Sequence, residues 1–287
     1  MIAAGVSPVT GCDAPSCQRP ALVAGEVWSE VMNGLLVKLL GDHYGYKPSH
    51  RMLEVLGIIG FFLIEAIILR QIIVSAGLLD SIHLTWIFGV SLIIAYIAAD
   101  FASGFVHWLG DTFGAEDWPV LGAAFIMPFR QHHVDPKGIT RHDFIEVNGN
   151  NCIVLMLYLV PFYLAVMPFL SHNLFGLLFS AFNMFFAFGI FMTNQFHKWA
   201  HATNPPAIAK RLQAVGLILT PENHNVHHTA PHKTYFCITS GWLNPIIDRI
   251  DLWTYLERGM GYFTGHDYSN GPVHPSPAKP PEPEHAA

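Results

Sequence analysis

Seventeen histidines outnumber the fifteen lysines and arginines of this 287-residue chain, and most of them fall in four short clusters. The first is DFASGFVHWLGDTFG, where His107 and Asp111 are spaced i and i+4 and would project from one helical face, with Asp100 two turns below on the same stripe. The second, FRQHHVDPKGITRHDFIEVNGNN, holds His132, His133, Asp135 and His142. Adjacent histidines on a helix point about 100° apart, which suits ligation of two ions, or one ligand and one orienting partner. Pro136 and Gly138 would end that helix just after. The third, TNQFHKWAH, again places two imidazoles, His197 and His201, at i and i+4, with Asn194 one turn earlier as a further ligand or an orienting partner. This is the spacing of HExxH zinc sites, but Lys198 stands where their glutamate would be, so a zinc-protease reading fails. The fourth, PENHNVHHTAPH, carries His224, His227 and His228 at i, i+3 and i+4, with His232 beyond Pro231.

Any one cluster has a bland reading as wet, interfacial histidines. Four together do not. His107, His132, His133, His197, His201, His224, His227 and His228 are eight imidazoles, more than one zinc or one haem uses, so two metals are expected. Cys12, Cys17, Cys152 and Cys237 form no CxxC pair, which leaves ligation to nitrogen and carboxylate oxygen. Such a donor set suits iron, zinc or copper. A redox-active pair of ions would attack an aliphatic C–H bond with O2, whereas a dizinc pair would hydrolyse.

The elements that position these groups are membrane helices. Only 13% of residues are charged and 52% are hydrophobic, against roughly 25% charged in a soluble domain. The net charge of -6 argues against a nucleic-acid partner. Four stretches are long and apolar enough to span a bilayer: Leu53 to Leu79, Ile82 to Val106, Cys152 to Leu170 and Leu174 to Thr193. Arg70 in the first is expected to snorkel or to pair with Glu65. Trp118 to Phe129 is too short to span and reads as a re-entrant or interfacial segment ending at Pro128, and residues 205–220 read as an interfacial helix with Ile208, Leu212, Val215 and Leu219 on one face. The expected fold is an all-α integral membrane bundle of four transmembrane helices plus interfacial helices. Residues 1–50 are read as irregular, 51–262 as the membrane domain, and 263–287, rich in proline, as a disordered tail. No basic-then-apolar leader is legible at the N-terminus, so the mature chain is expected to be this one.

Four hairpin-connected spans put 14 of the 15 basic residues and fifteen of the seventeen histidines on one side. By the positive-inside rule that side is cytoplasmic, so the di-metal site is expected at the cytoplasmic end of the bundle. A bacterial inner membrane is preferred over the endoplasmic reticulum.

In order along the chain, GFVHWLGDTFG, FRQHHVDPKGITRHDFIEVNGNNC, NQFHKWAH and NHNVHHTAPHKTYFCITSGWLN resemble the Kua or CarF-type plasmanylethanolamine desaturase family, over roughly residues 50 to 260. The resemblance implies a small helical membrane bundle with a histidine-rich di-iron centre. It also implies O2-dependent introduction of the vinyl ether double bond into a 1-O-alkyl ethanolamine phospholipid, giving a plasmalogen. The electron donor implied is a cytochrome b5-like protein or a ferredoxin, and O2 ends as water. A plant branch instead desaturates an acyl chain of phosphatidylglycerol. Carried over by position, the eight histidines match the family's essential ones, and Asp111 and His142 match polar positions of its motifs. Asn223 stands where some relatives have a further histidine. Asp100, Asp135 and Asn194 are candidates for orienting imidazoles. Tyr235, Gly241 and Trp242 fit either a headgroup lining or an aromatic belt. The competing readings are an acyl-lipid desaturase or hydroxylase with the same boxes, a zinc-dependent lipid hydrolase, a haem carrier, and a non-enzymatic metal-binding or signalling membrane protein.

Overall fold

The computed structural model describes residues 48–77, 81–119, 121–165 and 174–268. Among these there is no strand. Four long helices carry the bundle: α1 (Pro48–Ala76), α2 (Ser81–Thr112), α4 (Phe144–Ala165) and α5 (Leu174–His201). Each is long and apolar enough to cross a membrane, and fewer than half of the residues in each apolar window are buried inside the protein. The remainder, among them Leu63, Ile73, Ile93, Leu157 and Leu164, face outward, as lipid contact requires. The buried faces meet in one cluster of Phe61, Ile64, Ile68 and Ile72 from α1, Ile87 from α2, Cys152, Leu155 and Leu159 from α4, and Leu177, Ala181, Ala187 and Phe191 from α5. The broadest helix pair is α2 with α5. There Gly189 lets the backbones approach, since a Cβ at 189 would lie 2.8 Å from the Ala99 Cβ.

Five shorter helices lie at the ends: α3 (Met127–Val134), α6 (Ala207–Ala214), α7 (Pro221–His227), α8 (Asn244–Arg249) and α9 (Leu252–Thr264). A π-helical stretch, Gly122–Ile126, leads into α3 and a 3₁₀ turn, Gly138–Thr140, follows it.

Several boundaries differ from expectation for identifiable reasons. Pro128 does not end a segment but sits in the first turn of α3, where its missing N–H costs nothing. Helix α4 starts eight residues before the expected Cys152, because Asp143 accepts the Ile145 and Glu146 backbone N–H groups (2.9 and 3.0 Å) and the polar VNGNN run finds partners on a neighbouring helix. Asn148 donates to Gln195 Oε1 (3.2 Å) and Asn151 to the Ile190 carbonyl (3.0 Å), both on α5. The expected helix over 205–220 is only α6; it stops at Ala214, and Gly216 at φ +68° turns the chain so that Ile218 and Leu219 are buried while Ile208 and Val215 are exposed. Arg70 is on the exposed face of α1, five residues from Glu65, and no ion pair joins them. Of the expected irregular segment 1–50 all but the last three residues lie outside the described region, and those three begin α1. The expected tail from 263 lies outside it beyond residue 268, and α9 runs two residues past the expected edge.

After α7 the chain returns along α2. Cys237 lies against Gly104, Ile238 N–H donates to Ser103 Oγ (3.0 Å), and Thr239 Oγ1 donates to the Ala99 carbonyl (3.3 Å). A Cβ at 104 would fall 2.5 Å from Cys237 Sγ and 3.1 Å from its Cα. Gly104→Val is therefore expected to push this segment off α2 and to destabilise the protein by about 1–3 kcal/mol, outweighing the gain of up to about 1 kcal/mol from removing a helical glycine. A lowered thermal midpoint in detergent is the check; an unchanged midpoint would contradict the tight contact.

Candidate metal centre

The clusters meet at one end of the bundle. Helix α5 continues past its apolar part to present His197 and His201, α2 likewise presents His107 and Asp111, α3 presents His132 and His133, and α7 presents His224 and His227, with His228 at its C-terminal end. Thr220 caps α7 by accepting the Asn223 N–H, and Pro221 occupies its first turn.

Nine side chains sort into two groups. His132, His197, His201, His224 and His228 form one; His107, Asp111, His133 and His227 form the other. The neighbours His132 and His133 go to different groups, as do His227 and His228, because consecutive helical residues point in different directions. In the five-histidine group the Nε2 atoms converge: His197 to His224 2.8 Å, His132 to His201 2.9 Å, His224 to His228 3.0 Å and His132 to His228 3.1 Å. Donors bound side by side at right angles to an ion about 2.1 Å away lie about 3.0 Å apart, so this spacing fits a shared cation. In the second group Asp111 Oδ2 is 3.0 Å from His133 Nε2, 3.4 Å from His107 Nε2 and 3.5 Å from His227 Nε2.

Two imidazoles are oriented by backbone. His107 Nδ1 bonds the Phe236 carbonyl (3.1 Å) and His227 Nδ1 the Thr234 carbonyl (2.8 Å). A carbonyl only accepts, so both Nδ1 atoms carry the proton and both Nε2 lone pairs face the group. These buried Nε2 atoms have no hydrogen-bond partner, nor do Asp111 Oδ1, His224 Nδ1 and His228 Nδ1. Orphaned buried polar atoms in this number are costly, and a bound cation relieves the crowding of the inward lone pairs. Burial, reinforced by the surrounding imidazoles, holds His132 and His224 well below the usual histidine range, so both are neutral and free to donate a lone pair at neutral pH. The residues present therefore fit metal ions.

The remaining expected site residues lie elsewhere. His142 is outside both groups, with Nδ1 2.7 Å from Glu146 and its carbonyl accepting from Lys198. Asp135 is engaged by Arg141. Asn194 donates to the Val147 carbonyl and to Asn151 Oδ1 (3.1 Å each), joining α5 to α4. Asp100 orients no imidazole directly: Oδ1 accepts from Ser240 N–H (2.7 Å) and Gly241 N–H (2.9 Å), and Oδ2 from Leu243 N–H (3.1 Å). It anchors the returning segment whose Thr234 and Phe236 carbonyls hold His227 and His107. Asn223 serves the same segment, with Nδ2 donating to the Gly241 carbonyl (3.2 Å) and Oδ1 accepting from Asn244 (2.9 Å). Sequence reasoning missed Thr234 and Phe236 because their contribution is made by main-chain oxygens. It also left His232 unassigned, whose ring centroid stands 4.6 Å from that of His133.

Asp100→Asn puts an NH2 group where one of the accepting oxygens was, leaving a backbone N–H unpaired. The expected cost is about 2–3 kcal/mol, and the metal content of the purified protein should fall with it. A variant with wild-type thermal midpoint and metal content would show that the anchor is dispensable.

The four spans and the histidine groups at one end define a multi-pass helical membrane protein with a histidine-rich metal site. Residues 96–269 match the family described as the lipid desaturase domain. Over 224 residues, 77% of this chain and 75% of the relative, it is 42% identical to a plasmanylethanolamine desaturase of Myxococcus xanthus. It is 44% identical over 180 residues to plasmanylethanolamine desaturase 1 of Mus musculus, covering 61% of this chain and 66% of that one. It is 37% identical over 164 residues to the chloroplastic fatty acid desaturase 4 of Arabidopsis thaliana, covering 56% and 48%. No solved structure matches it. The chain belongs to the lipid desaturase domain family, and it is an oxidoreductase that desaturates lipid.

Proposed function

We infer that this protein converts a 1-O-alkyl (plasmanyl) ethanolamine phospholipid to the vinyl ether, with two iron ions held by His132, His197, His201, His224 and His228 on one side and by His107, Asp111, His133 and His227 on the other. The convergence of these nine side chains into two adjacent groups carries the reading, and the printed activity of the relatives from Myxococcus xanthus and Mus musculus supports the substrate. Bound iron would supply the redox chemistry in which one O2, two protons and two electrons from a donor such as a cytochrome b5-like protein or a ferredoxin become two waters, as the lipid loses one hydrogen from each of two adjacent carbons. The chain's own groups hold His107 and His227 in one tautomer, place a carboxylate charge beside three imidazoles, and keep the region largely dry. The Lys and Arg distribution supports placing this end on the cytoplasmic side. A bacterial inner membrane is the proposed location.

The test is lipid mass spectrometry of a plasmalogen-free host fed an alkyl-ether precursor under air, expressing the parent or its His227→Ala variant. Acid-labile vinyl ether phospholipid from the parent alone is the expected result. A desaturated acyl chain from the parent would instead establish the second reading, an acyl-lipid desaturase, which the Arabidopsis relative favours. No lipid change with an electron donor supplied would overturn both.

A further inference from the structure

Helix α9 has an inner face that belongs to the fold and an outer face that does not. On the inner side Trp253 is buried, stacks on Trp108 (centroids 5.7 Å apart, planes at 26°) and packs against Phe236 (5.3 Å). Glu257, one turn on, is paired with Lys233 (3.3 Å). On the outer side Tyr255, Tyr262 and Phe263 are 61%, 86% and 83% exposed. Arg258 lies between the tyrosines, with its guanidinium 5.8 Å from the centre of the Tyr255 ring. Positions 255, 258 and 262 follow one helical stripe, with Asp251 at its start, where the helix dipole favours a carboxylate. Ile246 of α8 and Ile250, which caps its C-terminal end, are also exposed.

The level of α9 along the bundle can be read from α2. Phe101, on the outer surface of α2, stacks on Trp253 with centroids 6.4 Å apart and planes at 13°. A helix crosses the hydrocarbon in about 20 residues, and α2 starts its apolar run at Ile82, so Phe101 stands where hydrocarbon gives way to headgroups. The inner face of α9 thus packs on the outward-facing side of a span at that level, and its outer stripe points away from the bundle, toward the surrounding lipid. Its composition, tyrosines and phenylalanine around one arginine, is that of an interfacial belt. A second protein is a poorer occupant: three aromatic side chains cover about 150–250 Å² each, short of the roughly 800 Å² per partner that a stable interface buries.

We propose that α9 lies in the interface of the bilayer, with Tyr255, Tyr262 and Phe263 inserted among the lipid headgroups and first acyl carbons and Arg258 at the level of the phosphates. The seating has a consequence for the metal centre. Lys233, held by Glu257 and by the Tyr268 carbonyl (2.9 Å), immediately precedes Thr234, whose carbonyl fixes His227. The membrane-bound helix therefore braces the segment that orients a candidate ligand.

The inference is independent of which lipid is desaturated. It is tested on the full chain with Cys12→Ser and Cys17→Ser, leaving the buried Cys152 and Cys237 untouched, and with either Tyr262→Cys or Phe263→Cys carrying a nitroxide. Both positions are exposed, so neither label disturbs the core. In nanodiscs of phosphatidylethanolamine and phosphatidylglycerol, relaxation by oxygen and by a water-soluble nickel chelate is calibrated with phospholipids labelled at the headgroup and at successive acyl carbons. Both labels are expected to read depths between the headgroup and the upper acyl chain, with an oxygen-to-nickel ratio several-fold above that in water. An aqueous ratio at both positions overturns the proposal. So does dipolar broadening that vanishes on dilution with unlabelled protein, which would make the occupant a second copy.

Discussion

Asp111→Ala is expected to lower vinyl ether formation at least about a hundredfold and to lower the metal content of the purified protein to about half. Replacing groups that merely orient a ligand costs about 10–100-fold, and Asp111 stands closer to the centre than any of those. Its Oδ2 is within 3.5 Å of the Nε2 atoms of His107, His133 and His227, and it is the one carboxylate in either group. Without it three imidazoles remain, with no negative charge to offset a dication in a buried place. Asp111→Asn separates two roles. The amide keeps the size and one oxygen but loses the charge, so weakened metal retention with partial activity indicates a ligand held by charge. Full activity and full metal content in Asp111→Asn and Asp111→Ala alike would remove Asp111 from the site. His201→Ala, a change in the five-histidine group, is the matched control: it should spare the metal bound by the other group.

What was legible in the sequence follows from what leaves a periodic or spaced trace. A span must be about 20 apolar residues, so all four could be found, although the third was started short at Cys152 because the largely polar run from Phe144 to Asn151 continues the helix. Ligand pairs at i and i+4 on a helix are equally traceable, and His132 and His133 diverge as adjacent helical positions must. The assignment of particular histidines to one group or the other required the tertiary packing of α2, α3, α5 and α7. Asp100 looked like an orienting residue because it shares a stripe with His107. In the fold that stripe faces the returning segment, and the carboxylate binds three backbone N–H groups there. Contacts made by main-chain atoms of Thr234 and Phe236 leave no side-chain signature at all. The inner and outer faces of α9 are separable only once Trp253 is seen against Trp108 and Phe101.

Stripping the metal with a chelator is expected to lower the thermal midpoint by about 10 °C and abolish desaturation, with ferrous iron restoring both and zinc restoring the midpoint alone. An ion present at about a thousand times its dissociation constant stabilises the folded state by about 4 kcal/mol, and a chain of this size shifts by about 2–4 °C per kcal/mol. The direction follows from the site. Four pairs of Nε2 atoms in the five-histidine group are held 2.8–3.1 Å apart in a region from which water is largely excluded. Without a cation each pair can only share one N–H as a hydrogen bond, whereas a cation ligates the converging lone pairs together. Zinc accepts the same imidazole and carboxylate donors as iron, so it should repair the structural defect; lacking a second oxidation state, it should not support O2-dependent desaturation. Recovery of vinyl ether formation with zinc in rigorously iron-free protein would overturn the redox assignment. A midpoint indifferent to chelation would instead deny that the converging imidazoles hold metal.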